Sequence, residues 1–225
     1  SRQQDSAFQR GPAWSPDGSQ VLFNSTRDRS YDLYRRAANG TGNDELFLKS
    51  RVGAYTPRYS PDGLFVAYIS ETDIWLKPAG GGQPRRFTET PFSESDHIFS
   101  PDGKWLAYTS NESGRAEIQI QPYPSGGGRY QVSRAGGMEP SWRGDGRELF
   151  YLAPAGTMMA VSIDAGRDFQ AGAPQRLFET GITSTQNDSP YVVSRDGQRF
   201  LIPVLDRSVN APMTVVLNWA AGRSE

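Results

Sequence analysis

The stretch WSPDGSQVLF (Trp14–Phe23) decides the fold, because the chain writes it again. YSPDGLFVAY follows at Tyr59–Tyr68 and FSPDGKWLAY at Phe99–Tyr108. Two altered copies, WRGDGRELFY (Trp142–Tyr151) and VSRDGQRFLI (Val193–Ile202), complete a series of five. Their aspartates, Asp17, Asp62, Asp102, Asp145 and Asp196, are spaced by 45, 40, 43 and 51 residues. A period of about 40–50 residues marks solenoids and propellers. No stretch of useful length carries the apolar spacing of a helix, so the helical solenoids are excluded.

Each unit reads as four strands. The first ends in an aromatic residue or Val (Trp14, Tyr59, Phe99, Trp142, Val193). The Ser-Pro-Asp-Gly turn follows: Ser offers a side-chain acceptor, Pro presets φ, Asp tolerates the next position and Gly closes the turn. The second strand is apolar on both faces, as in Phe65–Ile69 and Leu149–Leu152, which requires cover on both sides. The third (Asp32–Ala37, Asp73–Pro78, Glu117–Pro122, Met158–Ile163) alternates more and is expected to be partly exposed. The fourth is the most polar, as suits an outer edge. This describes all-β structure, a β-propeller of four-stranded antiparallel blades, in a single domain over 1–225 with blades near 8–50, 51–91, 92–134, 135–182 and 183–222. The fifth unit offers a third strand at Met213–Trp219 and no fourth. Either residues near Ala7 close a five-bladed ring, or the chain is a segment of a larger propeller.

The bulk composition narrows the function classes. Lys and Arg number 24 against 25 Asp and Glu, a net charge of -1, which does not favour nucleic acid even though Arg115, Arg134, Arg143 and Arg147 lie among aromatic residues. There is no cysteine, so thiolate chemistry and Cys-ligated zinc are excluded. No apolar run approaches the roughly 18 residues of a membrane helix, so no direct membrane insertion is expected. The start, SRQQDSAFQR, lacks Met and an apolar signal core and reads as a trimmed piece or a mature form.

The repeated SPDG unit resembles the TolB-type propeller repeat, a WD-repeat-like unit without the Trp-Asp pair. The stretch Thr90–Pro154 and the ending PMTVVLNWAAG (Pro212–Gly222) look like the C-terminal propeller of bacterial membrane serine/threonine kinases and related sensors. That resemblance implies an extracytoplasmic location on the periplasmic or cell-surface side. It also implies a role as the non-catalytic part of a longer protein, since no kinase motif is present.

The search for chemistry finds little. The single histidine, His97, stands where three other units have Pro12, Pro57 and Pro140. It reads as a variable loop residue, with a general base beside Glu94 and Asp96 as the alternative. The five repeated aspartates read as turn residues bonding nearby backbone. The loop Thr26–Asp32 is too basic for calcium, and the Gly runs at 80–82 and 126–128 are hairpin turns, not phosphate cradles. No catalytic residue, metal or cofactor is assigned.

Loops on a rigid scaffold are where binding resides. The approaches to the innermost strands (Gln9–Ala13, Ala54–Arg58, Glu94–Ile98, Gly136–Ser141, Thr185–Val192) are expected to bring Tyr55, Arg58, Asp96, His97, Met138, Glu139 and Tyr191 to a channel rim. The leading expectation is a binding or sensor module for a protein or peptide partner, with a small ligand also possible. The alternatives are a propeller hydrolase or lyase using His97, and a structural assembly domain.

Overall fold

The Asp of each SPDG turn sets the corner from which its sheet is built. In the computed structural model, residues 9–124, 127–166, 169–182 and 190–203 are described, together with the backbone of 214–217. The first sheet runs β1 (Gln9–Trp14), β2 (Gln20–Ser25), β3 (Asp32–Ala37) and β4 (Glu45–Leu48) in that spatial order. The second runs β5 (Tyr55–Tyr59), β6 (Phe65–Ser70), β7 (Asp73–Pro78) and β8 (Arg85–Arg86), and the third β9 (Glu94–Phe99), β10 (Trp105–Ser110), β11 (Glu117–Pro122) and β12 (Tyr130–Gln131). Paired neighbours are antiparallel. Chain order equals sheet order throughout, which is the meander of a propeller blade.

The fourth sheet departs from this plan. β13 (Met138–Trp142) and β14 (Glu148–Ala153) are followed by one turn of 3-10 helix at Pro154–Gly156 and a long β15 (Thr157–Asp164). Two strands share the outer edge of β15: β16 (Gln170–Ala171) pairs with Ile163 and Asp164, and β17 (Gln175–Glu179) pairs with Thr157–Ala160. The fifth sheet contains β18 (Val192–Val193), β19 (Arg199–Ile202) and β20 (Thr214–Leu217). The expected strand at Met213–Trp219 is thus described only at 214–217, and the suggested contribution of residues near Ala7 lies outside the described residues. The chain divides into two compact units, Ser1–His97 and Ile98–Glu225.

The second strands are buried as expected: Val66, Ala67, Leu106, Ala107, Tyr108, Leu149 and Phe150 are shielded from solvent. In the second unit Ala107, Ile118, Ile120, Trp142, Leu149, Tyr151 and Val161 form one apolar cluster. The third strands differ among themselves. β11 is buried from Glu117 to Gln121 and β7 at four of six positions, which corrects the expectation of partial exposure there, whereas β3 exposes Arg36 and β15 exposes Ser162 and Asp164 as expected. Each lies inside its sheet, and its polar residues find partners there, as when the Tyr108 hydroxyl donates to Gln121 Oε1 at 3.0 Å. The short fourth strands β8 and β12 are exposed throughout.

Candidate functional site

The five repeated aspartates occupy the turns. In the unaltered copies the Ser hydroxyl donates to Asp Oδ1 (Ser15 to Asp17 2.6 Å, Ser60 to Asp62 2.5 Å, Ser100 to Asp102 2.6 Å). The same oxygen accepts the backbone N–H two residues on, at Ser19, Leu64 and Lys104. Ser194 and Asp196 repeat the arrangement. The Ser15 hydroxyl above all, with the Ser19 amide, holds the exposed Asp17 carboxyl down to about 2. In the fourth copy Arg143 replaces Ser. Its guanidinium grips Asp145 with Nε to Oδ1 at 2.8 Å and Nη2 to Oδ2 at 2.9 Å, and it too brings the carboxyl to about 2. Every carboxylate is committed to its own corner, as an Asx-type turn requires.

A second set of acids is buried where sequence reading saw only strand starts. Asp32, Asp73 and Glu117 each open a third strand and each is shielded from solvent. They clasp the chain as it leaves the fourth strand. Asp32 Oδ1 accepts the Ser50 amide at 2.8 Å, Thr88 Oγ1 donates to Asp73 Oδ1 at 3.3 Å, and the Ser133 hydroxyl donates to Glu117 Oε2. Basic residues cover them: Lys49, Arg86 and Arg115 lie at 3.1, 3.4 and 2.7 Å. The sequence signal was present as an acid at the head of the third strand in the first three sheets, with Ser or Thr after the fourth. These groups are structural, since a buried charge persists only when paired and hydrogen-bonded.

The innermost strands carry a feature that residue types conceal. Each of the first four has one residue in the left-handed region at the same repeat position: Gly11 (φ 58°), Thr56 (47°), Asp96 (51°) and Glu139 (55°). Register jumps there, between Arg10 and Ala13, Tyr55 and Arg58, and Met138 and Ser141, so these are β-bulges. Gly adopts this backbone freely. For a β-branched Thr it is a strained conformation that surrounding structure must enforce.

The bulges decide where the expected rim residues lie. In the first unit Tyr55, just before its bulge, is 38% exposed and its ring meets Tyr31 at 5.1 Å. Asp96 and Arg58 are half-buried, and Ser95 donates to Asp96 at 3.0 Å. In the second unit Met138 and Glu139 are half-buried. Two of the expected rim residues are buried. His97 is 1% exposed, and Tyr191 is 6% exposed with its hydroxyl donating to the Glu139 carbonyl at 2.6 Å. Both stand directly after the repeat position of the bulges; the equivalent Pro57 and Pro140 are also buried, whereas Pro12 in the first sheet is exposed.

His97 is neutral at ordinary pH. Burial first, and the nearby Arg58 charge second, hold its imidazole down to about 3; the Ala67 backbone works weakly the other way. Neither ring nitrogen makes a hydrogen bond of ordinary geometry. Among the described residues no cluster of three or more His, Asp or Glu is arranged to hold a metal, and no helix is long and apolar enough to cross a membrane.

Known proteins share parts of this chain. No protein-family profile matches it. It is 32% identical over 99 residues to tricorn protease homolog 1 of Streptomyces coelicolor, covering 43% of this chain and 9% of that protein. It is 35% identical over 86 residues to the Tol-Pal system protein TolB of Anaeromyxobacter dehalogenans, covering 36% of this chain and 19% of that protein. The chain spans at most about half the length of these and similar relatives. Among solved structures, TolB from Acinetobacter baumannii superposes with a TM-score of 0.66 at 18% identity, over 86% of this chain and 48% of that one. An oligogalacturonate lyase in complex with manganese gives 0.65 at 15% identity, over 86% and 61%. Four-stranded meanders, SPDG corners and these neighbours agree: by fold, the chain is a TolB-like β-propeller.

Proposed function

We propose that this chain is a non-catalytic binding propeller that presents the bulged entries of its innermost strands to a protein or peptide partner. The observation that carries this reading is the positive-φ residue repeated at Thr56, Asp96 and Glu139. Bulges re-aim side chains beside binding sites, and strain of this kind is retained where surrounding structure uses it. Each unit offers its own set: Tyr55, Arg58 and Asp96 in the first, Met138 and Glu139 in the second. A small ligand is the lesser form of the same reading. The partial similarity to a protein named for the Tol-Pal system supports a role within a multi-component assembly. The resemblance to membrane-kinase propellers supports an extracytoplasmic sensor segment of a larger bacterial protein. The alternative, a hydrolase or lyase with His97 as base, has to work through a side chain that is 1% exposed and held neutral.

Site-specific photo-crosslinking in the native host tests the reading. Crosslinkers at Tyr55 and Met138 are expected to give a discrete protein adduct, and crosslinkers at the turn positions Ser113 and Gln198 none. Glu139→Lys should remove the Met138 adduct without changing the melting temperature. Equal labelling at all four positions, or none at the bulges, overturns it.

A further inference from the structure

At the opposite end of the innermost strands, inside the second unit, a cleft of about 460 Å³ opens between the turns of the third and fourth sheets. Its volume lies in the range of small-ligand sites. Trp105 and Trp142 form its aromatic wall and Ile163 and Ala165 its aliphatic one; Ser100, Asp102, Asp145, Arg147 and Asp164 supply the polar lining. Trp105 is backed by Phe169 at 4.8 Å and by Tyr130 at 6.1 Å, so the indole is held in place before anything binds.

Three carboxylates and the Arg147 guanidinium line this space, and Arg143 and Lys104 stand against two of the carboxylates, which leaves Asp164 as the one without a cation among the described residues. The carboxylates are fixed. Asp102 Oδ1 takes the Ser100 hydroxyl and the Lys104 amide, Asp145 Oδ1 takes the Arg147 amide, and Asp164 Oδ1 takes the Gly166 amide at 3.1 Å. Their outer oxygens differ. Asp145 Oδ2 is occupied by Arg143, and Asp102 Oδ2 has Lys104 at 3.9 Å. Asp164 Oδ2 has no hydrogen bond or ion pair among the described residues. A pre-set carboxylate oxygen beside a supported indole matches one kind of group: a flat or compact cation, which gains both a charge-assisted hydrogen bond and a cation–π contact. An anion would meet the outer oxygen of Asp164, and a purely apolar group would leave that oxygen without a partner.

From this geometry we infer that the cleft is a receptor for a basic side chain, best an arginine, carried by a peptide or protein segment. It is separate from the bulged strand entries and stands whether or not those bind anything.

The test is NMR titration of the chain with a blocked Gly-Arg-Gly peptide, following the Trp105 indole N–H. A saturable shift is expected, weakened at least fivefold by Asp164→Asn and reduced by raising salt from about 50 to 300 mM. Asn keeps the oxygen that accepts the Gly166 amide, so this variant should retain the wild-type melting temperature. A second variant, Trp105→Phe, followed by the Gly146 amide, should weaken binding about threefold. The matching Gly-Glu-Gly peptide should give no shift. No response to the arginine peptide, an equal response to the glutamate peptide, or undiminished binding in Asp164→Asn overturns the inference. So does tighter binding of a neutral trisaccharide at the same indole.

Discussion

The turns of the third and fourth blades perform one task with different chemistry. At Ser100–Gly103 a hydroxyl anchors the aspartate and a proline presets the chain; at Arg143–Gly146 a guanidinium anchors it and a glycine stands in the proline's place. Both give the same corner: Gly103 donates to the Ser100 carbonyl and Gly146 to the Arg143 carbonyl at 2.9 Å. What the repeat demands is therefore a donor two residues before the aspartate, not a hydroxyl as such. The arginine does more than the serine. It reaches Glu148 at 3.2 Å and packs its methylenes where a side chain on Gly197 would have to go. Gly144 is likewise shaped by the next turn, for it donates to the Arg195 carbonyl at 2.9 Å. The altered copy is thus a turn cross-tied to its neighbour rather than a weakened one.

Restoring the common motif should break this difference most severely. Gly144→Pro deletes the hydrogen bond to Arg195 and drives a Cβ to 2.7 Å from that carbonyl and 2.3 Å from Arg195 Cγ. A loss of about 4 kcal/mol is expected from the clash and the orphaned carbonyl, whereas Pro101→Gly should cost about 1 kcal/mol, mainly through the unfolded chain. Urea denaturation of the two variants measures the contrast.

The next effect sets His97 against Pro140, its counterpart in the following blade. Because the folded imidazole titrates near 3 and a free one near 6.5, stability is complete above pH 6.5 and drains away as pH falls toward 3. By pH 4 the loss is about 3 kcal/mol. His97→Asn should flatten that part of the pH–stability curve while leaving the carboxylate-driven loss below pH 4. A wild-type curve already flat from pH 6.5 to 4 would contradict the burial.

Smaller differences belong to the anchors themselves. Ser100→Ala removes a donor to Asp102 and the acceptor of the Trp105 amide, and thermal melting should register about 1–2 kcal/mol. Arg143→Ser, which returns the fourth turn to the commoner anchor, should cost about 1 kcal/mol, because a hydroxyl replaces the bond to Asp145 but not the reach to Glu148. The fully exposed Asp17 sharpens the lower end: its depressed carboxyl adds stability above about pH 4 that disappears as pH falls toward 2.

The period, the turn chemistry and the buried second strands were legible in the sequence, because each is written in residue type: Pro and Gly at corners, unbroken apolar runs in between. The bulges were not, since Thr56 and Glu139 are residues one does not associate with positive φ; only Gly11, at the same place in the first unit, hinted at it. The burial of β11 was hidden by Gln119 and Gln121, whose polarity reads as exposure although both are buried. The burial of His97 and Tyr191 was not legible either, since both were expected at a rim from their place in the approaches to the innermost strands, and a position along a strand does not by itself tell a covered side chain from an open one. The basic-residue cleft drew no notice because its walls come from turns and strand ends more than 60 residues apart, from Ser100 to Gly166.

The buried acids carry a consequence for how such a chain grows. Asp32 with Ser50, Asp73 with Thr88, and Glu117 with Ser133 each fasten the exit of a fourth strand to the head of its own third strand, within one repeat length. A gene segment copied from one turn to the next therefore brings its own fastening with it, and an added or lost copy leaves every other fastening whole. Adding or removing one of these three blades would therefore disturb none of the acid contacts in the other two.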